Sequence, residues 1–356
     1  MLMTNKLKYD TPVLTMGGVD IGYSNEIKIL GLTIDSKLTF NSHVADVCKK
    51  DLNIYKQLSR AAKITWGLHP EVIRLIYVAT VEPVIMYAAS AWAEATKKLG
   101  IQKHLNAVQR GFAQKLTRAY RTVSLNSALV LAGILPLDLR IQETAALYEA
   151  RKRAPPPSLR DAEIERVVAY ADTPHPAEHM DLQFISLADQ QQVEEHSNYA
   201  VKIFTDGSKI DGKVGAALSL WDRTSQFKAV KLKLSQHCTV YQAELLAICR
   251  ATRIIRDRRE TSFGIYSDSR SALETIVNSN APHPLAAETR SNLSHCKSQN
   301  KLVSLFWIKA HAGLEGNEQA DKLAKEAAQT LKCKPHFDLC PVSFVKRQIR
   351  MDTLEE

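Results

Sequence analysis

Apolar residues recur three and four positions apart through most of the first half of the chain, which is the spacing of a helix with one buried face. Such stretches predict helices at 41–63, 69–95, 101–122, 124–132 and 137–153. Gly67, Gly100 and Gly133 separate them, as glycine often does where helices end. Before the first helix, alternation over 28–34 predicts a short strand. The region 1–153 is therefore predicted to be mainly α-helical, with strands at its start.

Proline, charge and glutamine replace the apolar stripe at 154–198, which indicates a linker. Within it, 159–171 could form a short helix and 182–187 a short strand. These two elements lack the capping residues that mark the helices on either side.

From residue 199 the pattern changes to strands that alternate with helices. Strands are predicted at 201–206, 215–221, 227–234, 262–267 and 302–309, and helices at 239–256, 270–278, 285–297 and 317–331. Three consecutive strands, followed by strands interleaved with helices, favour a mixed sheet with helices on both faces. We expect an α/β domain with a five-stranded mixed sheet at 199–331 and a C-terminal tail at 332–356.

The composition is that of a soluble globular protein, with 356 residues of which 45% are hydrophobic and 24% charged. The net charge of +9 favours a polyanionic partner, although a solvated basic surface without a partner accounts for it equally well. The first ten residues lack the apolar core of a secretory signal, and no later stretch has the length and apolarity of a membrane span. We therefore expect an intracellular protein, in the nucleus or cytoplasm, without a membrane partner.

The six cysteines contain no Cys-x-x-Cys pair, which favours reduced thiols. A zinc site formed by Cys333, His336 and Cys340 is the alternative, but the spacing is irregular and no fourth ligand is evident.

Four acidic residues stand where the predicted α/β domain brings strand and helix ends together: Asp206, Glu244, Asp268 and Asp321. Each alone is more often a surface acid, a helix cap or a turn residue. Their segments read TDGS, YQAELLAI, YSDSRSAL and WIKAHAGLEGNEQADKLA in that order. Four converging carboxylates would repel each other and raise each other's pKa unless divalent cations neutralised them. Carboxylate oxygens suit Mg²⁺, and two such ions could activate a water and stabilise a leaving 3′-oxygen.

These four motifs resemble the type 1 ribonuclease H family over 199–331, a family that hydrolyses the RNA strand of RNA–DNA hybrids. The resemblance implies that Asp206 contacts both metal ions, Glu244 and Asp268 one of them and Asp321 the other. It also implies Mg²⁺ as the cofactor, with Mn²⁺ as the alternative. His311 matches the family's mobile-loop histidine, whose role would be to protonate the leaving group or release product.

The family reads RNA through its 2′-hydroxyls, with groups near the TDGS turn and before the helical glutamate. Gly207, Ser208 and Gln242 are the matching nucleic-acid contacts in this sequence. Tyr241 departs from the asparagine or glutamine of many members, and the chain lacks the basic protrusion that some members insert after the position of Asp268. We therefore expect other parts of the chain to bind the substrate.

The segment 29–153 resembles the end of a reverse transcriptase from jockey-like non-LTR retrotransposons, where a strand pair closes the palm and a helical thumb follows. The motifs are IKILGLTIDSKLTF, LIYVATVEPVIMYAASAW and AVQRGFAQKLTRAYRTVSLNSALVLAGILPLDLR. The resemblance implies phosphate contacts on the thumb from Arg110, Lys115, Arg118 and Arg121. A generic helical domain with a basic face is the alternative, and no paired-aspartate polymerase motif is present.

Three functions remain open at this point. The first is an active endonuclease on RNA–DNA hybrids, within a fragment of a retroelement polyprotein whose partners are the element's RNA or cDNA. The second is a catalytically idle nucleic-acid-binding remnant of the same element. The third is a nuclease or transposase that acts on DNA, which fits the TDGS and YSDS motifs less well.

Overall fold

The computed structural model of the chain divides into two compact units, Met1–Ala154 with Ile349–Glu356, and Pro155–Gln348. We call them the helical unit and the sheet unit. The structure describes residues 1–3, 8, 10–61, 67–152, 159, 162–187, 189–196, 198–223, 225–310 and 312–355. Across these residues, no single helix combines the length and apolarity of a membrane span, while two bent helix pairs, 70–85 with 89–97 and 125–132 with 137–152, do so jointly.

The helical unit opens with two antiparallel ribbons. The first joins β1 (Thr15–Met16) to β2 (Val19–Asp20), and the second joins β3 (Glu26–Ile29) to β4 (Leu32–Asp35). The prediction of one strand over 28–34 is wrong. Leu30 and Gly31 take positive φ angles of 46° and 84°, which turn the chain back on itself.

Helices occupy most of the remaining helical unit: α1 (Asn41–Ala61), α2 (Pro70–Ile76), α3 (Glu82–Ile85), α4 (Ala89–Trp92), α5 (Leu99–Leu116), α6 (Leu125–Ala132) and α7 (Leu137–Lys152). The single helix predicted at 69–95 is wrong, because Ala88 adopts a left-handed φ of 53°. The helix predicted at 101–122 stops at Leu116, and Arg118 turns the chain with a φ of 51°.

The core of the helical unit contains some buried polar groups among its apolar side chains, and one buried amide links three of its segments. Gln109 on α5 donates to the Tyr77 hydroxyl at 2.9 Å and to the Leu135 carbonyl at 2.7 Å. Its Oε1 accepts a hydrogen bond from the Leu137 backbone N–H at 3.0 Å. Because each of its groups has a partner, this fully buried amide helps to fix the start of α7 against α5.

The sheet unit contains β5 (Phe184–Leu187), α8 (Gln190–Glu195), β6 (Val201–Ile210), β7 (Lys213–Trp221), β8 (Gln226–Leu234), α9 (Val240–Asp257), β9 (Ser262–Ser267), α10 (Arg270–Val277), α11 (Pro284–Ser298), β10 (Leu302–Ile308), α12 (Glu315–Thr330) and α13 (Val342–Glu355), the last of which continues into residues of the helical unit. The strand order is β5-β10-β9-β6-β7-β8. The strands from β5 to β6 pair in parallel, whereas β6, β7 and β8 pair antiparallel.

The predicted class, a mixed sheet flanked by helices, is confirmed, but the predicted number of five strands is wrong. The sixth strand, β5, corresponds to the short strand suggested at 182–187 within the expected linker, and it pairs with β10, with Phe184 opposite Leu305. The helix suggested at 159–171 is replaced, among the described residues of that stretch, by a bridge from Ile164 to Cys340 and a short 3₁₀ turn at Tyr170–Asp172.

Alternate residues of the central strands enter two cores, one on each face of the sheet. Ile203, Ile265 and Leu305 pack with residues of α9, while Phe204, Tyr266 and Phe306 pack with Ala320 of α12. The three rings stack with centroids 4.8 Å apart in each pair. Strand alternation therefore places α9 and α12 on opposite faces.

Two glycines set the distance between the sheet and these helices. A Cβ on Gly215 of β7 would lie 2.4 Å from the Ala328 backbone nitrogen on α12. A Cβ on Gly207 of β6 would lie 2.8 Å from the Glu244 backbone nitrogen on α9. Only glycine permits backbones to approach this closely.

Candidate active site

Two parallel strands and two helices carry the four acids to one region of the sheet unit. Asp206 lies within β6 and faces Ala217 of β7 in the ladder. Because β6 and β9 pair in parallel with Thr205 opposite Ser267, Asp206 and Asp268 follow at equivalent positions. Glu244 is in the second turn of α9, which packs on β6, and Asp321 is in α12 on the opposite face.

Three of these carboxylates converge. Ligand oxygens of Asp206, Glu244 and Asp268 all lie within 4.8 Å of one another. Asp206 and Glu244 are each only 6% exposed. Within the part of the chain that the structure describes, Asp206 Oδ2 and Glu244 Oε2 are buried without a hydrogen-bond partner. Buried oxygens that lack protein donors, in a set of hard carboxylate ligands, fit a divalent cation.

The electrostatics of the site agree with this geometry. Burial, followed by the charges of Asp268 and Asp321, raises the pKa of Asp206 to about 7, against the opposing effect of Lys325. Burial and then the charges of Asp206 and Asp268 raise the pKa of Glu244 well above its usual value. Like charges in a desolvated cluster disfavour ionisation, and a bound cation would reverse that preference.

Asp321 stands apart from the three converging oxygens. Its Oδ2 accepts a hydrogen bond from Lys325 Nζ at 2.7 Å, and its side chain is 20% exposed. Its charge nevertheless contributes to the raised pKa of Asp206, so it lies within electrostatic reach of the cluster. The structure therefore brings three of the predicted acids together and places the fourth beside them with a lysine partner.

Asn317 is a site residue that sequence reasoning missed. It is 2% exposed and lies in the first turn of α12, where its Nδ2 approaches Asp268 Oδ2 at 3.5 Å. Its Oδ1 is buried and, among described residues, has no hydrogen-bond partner. A sequence signal existed, because Asn317, Asp321 and Lys325 follow each other at intervals of four and so share one face of α12.

Replacing Asn317 with alanine should weaken cation binding and any cleavage by roughly tenfold, as expected when a group that orients a ligand is lost. The affinity for Mn²⁺, measured by titration without nucleic acid, tests this directly. Gln329→Ala is the matched control, since Gln329 is an exposed amide on the same helix. Equal Mn²⁺ affinities in the two variants would remove Asn317 from the site.

The predicted nucleic-acid contacts are distributed over both units. Gly207 and Ser208 follow Asp206 on β6 and are partly exposed, whereas Gln242 on α9 is only 1% exposed. In the helical unit, Arg110, Arg118 and Arg121 are exposed and Lys115 is half-buried.

Two further candidates from the sequence are His311 and the alternative zinc site. His311 lies outside the described residues. The suggested zinc ligands Cys333, His336 and Cys340 form no cluster of metal-ligating atoms among the residues that are described. His336 Nδ1 instead accepts a hydrogen bond from the Lys233 backbone N–H at 3.1 Å.

Pol polyproteins of retrotransposable elements are similar to part of the chain. A Pol polyprotein from type-1 retrotransposable element R1 4 of Nasonia vitripennis is 28% identical over 155 residues, which cover 44% of this chain and 38% of the relative. A Pol polyprotein from element R1 of Bradysia coprophila is 29% identical over 145 residues, 41% of this chain and 14% of the relative. The matched part of the chain thus spans well under half the length of these relatives.

The comparison with solved structures finds ribonuclease H domains at low overall similarity. One is LC11-RNase H1 in complex with an RNA/DNA hybrid, 19% identical with a TM-score of 0.30, covering 36% of this chain and 96% of that protein. The model of the RNase H family matches residues 198–329, the segment that carries all four acids, and so confirms the resemblance seen in the motifs. Residues 198–329 of this chain therefore match the ribonuclease H family model, and part of the chain is similar to R1 retrotransposon Pol polyproteins.

Proposed function

We propose that the chain is an endonuclease that hydrolyses the RNA strand of RNA–DNA hybrids with the help of divalent cations. It would act inside the cell, in the nucleus or cytoplasm, as part of a retroelement polyprotein whose partners are the element's RNA or cDNA. The observation that carries this proposal is the acidic triad of Asp206, Glu244 and Asp268, in which Asp206 and Glu244 each have one buried oxygen that no described group satisfies. Such an arrangement is costly in a protein that binds no cation.

The cations would be two Mg²⁺ ions, with Mn²⁺ as a substitute. Asp206 would contact both, Glu244 and Asp268 would hold one, and Asp321 would hold the other. When bound, the cations supply charge stabilisation for the attacking water and the leaving 3′-oxygen. The protein fixes its own ligands: Asn317 steadies Asp268, and Lys325 holds the carboxylate of Asp321 at 2.7 Å.

Choice of the RNA strand depends on the 2′-hydroxyl rather than on the carboxylates. We assign this recognition to Gly207 and Ser208, which directly follow Asp206 on β6 and are partly exposed. Gln242 also matches the family's hydroxyl-reading position, but its side chain is almost completely buried.

A cleavage assay with the full chain tests the proposal. The substrates are a labelled RNA–DNA hybrid, single- and double-stranded RNA and the corresponding DNAs, each with Mg²⁺ and with chelator. We expect cleavage of the RNA strand of the hybrid alone, and only with the cation. Hybrid binding without cleavage would indicate the idle remnant, and cleavage of DNA would indicate a DNA nuclease.

Basic residues of the helical unit are proposed to hold the phosphate backbone. Changing Arg110, Lys115, Arg118 and Arg121 together to glutamine should weaken hybrid binding, and each lost phosphate contact should flatten the slope of log affinity against log salt by about 0.7 to 0.9. Fluorescence anisotropy at several salt concentrations measures both quantities. Unchanged affinity and slope would leave these residues as a solvated helix face.

A further inference from the structure

The first turn of α9, which directly precedes Glu244, is held by two segments that lie outside the region matched by the ribonuclease H family. One is residues 333–340, which we call the tail segment. The other is residues 162–168, which we call the lead segment. All of these residues belong to the sheet unit.

The tail segment runs along the end of β8 and the start of α9. His336 N–H donates to the Lys233 carbonyl at 2.7 Å, and Ser235 N–H donates to the Phe337 carbonyl at 3.0 Å. Leu234, the last residue of β8, forms a parallel bridge with Phe337. The Phe337 side chain packs against the core that contains α9.

The lead segment fastens the tail segment from the other side. Glu165 N–H donates to the Cys340 carbonyl at 2.8 Å, and Cys340 N–H donates to the Glu163 carbonyl at 2.7 Å. Val168 N–H donates to the Pro282 carbonyl at 2.9 Å, just before α11. Residues that precede and follow the family region therefore pair with each other beside α9.

Gln242 joins this pair of segments to the helix. Its Oε1 accepts the Thr239 backbone N–H at 3.0 Å, which completes a capping box at the start of α9. Its Nε2 donates to the Leu339 carbonyl at 3.3 Å. Gln242 precedes Glu244 by two residues, and this part of α9 packs so closely on β6 that a Cβ on Gly207 would lie 2.8 Å from the Glu244 backbone nitrogen. The position of the first turn therefore determines the position of the Glu244 carboxylate.

We propose that Gln242, anchored by the tail segment, is a positioning residue that sets the Glu244 carboxylate within the acidic triad. The inference rests on the proposed function for its relevance to cleavage, but its consequence for cation binding does not require any cleavage. It also extends the functional unit to at least residues 162–340. The alternative role of Gln242 is direct contact with the hybrid.

The Mn²⁺ affinity of the full chain without nucleic acid separates these two roles of Gln242. It can be measured from the electron paramagnetic resonance signal of the free ion. We expect Gln242→Leu to weaken Mn²⁺ binding about tenfold, because groups that orient metal ligands have effects of this size. The KM for hybrid at saturating Mn²⁺ should stay unchanged. A hybrid contact would show the opposite pattern, with unchanged Mn²⁺ affinity and a raised KM, and that result would overturn the proposal.

Phe337→Ala tests the role of the tail segment with a change that lies away from the triad. If Gln242→Leu fails to fold, this variant by itself tests whether the tail segment positions Glu244. It should weaken Mn²⁺ binding in the same direction. Phe227→Ala is the matched control, because it removes the same side chain from the far end of β8. If Phe337→Ala and Phe227→Ala bind Mn²⁺ equally well, the tail segment plays no part in positioning.

The outcome for the wild-type chain separates failure of this inference from failure of the proposed function. Mn²⁺ binding without hybrid cleavage would refute the nuclease and leave the positioning test intact. Absence of Mn²⁺ binding would refute the cation site itself, and with it the positioning role.

Discussion

Replacing Asp206 with asparagine should reduce cleavage of RNA–DNA hybrid by about 100-fold or more, because loss of a group that only orients a metal ligand already costs about 10- to 100-fold. The substitution preserves shape but removes the charge of the residue at the centre of the triad, 6% exposed and close to both Glu244 and Asp268. The measurement is the initial rate of RNA cleavage at saturating Mg²⁺. Cleavage near the wild-type rate by a folded variant would remove Asp206 from the site.

The same change should make the cation-free protein more stable, by on the order of 1 to 3 kcal/mol, because a buried carboxylate with one oxygen that lacks a hydrogen-bond partner among the described residues opposes folding. Thermal unfolding in the presence of chelator measures this. Asp211→Asn is the matched control: Asp211 is exposed in the turn after β6 with a φ of 49°, a conformation that asparagine also tolerates. Loss of cleavage together with gain of stability would distinguish a functional carboxylate from a structural one.

Replacing Asp51 with asparagine should stabilise the helical unit at pH 8, by at most about 4 kcal/mol. Asp51 lies on α1 with no exposed surface, and within the described ranges neither carboxylate oxygen has a hydrogen-bond partner. Burial raises its pKa from 3.8 to about 7, against the opposing charge of Lys50. The folded helix therefore favours the protonated acid.

The direction of the pH dependence follows from that raised pKa. Below pH 3.8 the acid is protonated in both the folded and the unfolded chain, and the folded state incurs no charge penalty from it. Stability is lost as the pH rises from there through about 7, where the buried group must ionise, and the loss is complete above that value.

Amide hydrogen exchange of peptides from α1 measures the stability of this helix separately from that of the sheet unit. The exchange is compared at pH 5 and pH 8 after correction for intrinsic rates. In Asp51→Asn the difference in protection between the two pH values should largely disappear. Asp46→Asn, which changes an exposed aspartate of the same helix, should retain it. Identical behaviour of the two variants would contradict the account of Asp51.

Much of the fold could be predicted from local pattern, because apolar spacing encodes both the type of an element and its buried face. The strand at Ser262–Ser267 and the helices around Glu244 and Asp321 emerged at nearly their predicted bounds. The predicted bounds were wrong where a single residue with an unusual backbone angle ends an element that the apolar periodicity would continue. Leu30, Ala88 and Arg118 all adopt positive φ angles, which the spacing of apolar residues does not predict.

The sequence by itself determined which acids could form the site and in what order the elements carry them. The spacing of Asp206, Glu244, Asp268 and Asp321 within strand and helix motifs already implied a shared sheet edge and the chemistry of divalent cations. It implied this because side-chain chemistry and helical or strand period are both local properties.

Only the tertiary structure decided which of these groups meet. It placed three carboxylates within 4.8 Å and brought Asn317 to Asp268. It also paired β5 with β10 and joined Ile164 to Cys340 beside α9. All of these contacts join segments that are far apart in the chain, and the backbone hydrogen bonds that hold such segments together leave no periodic signature in either segment.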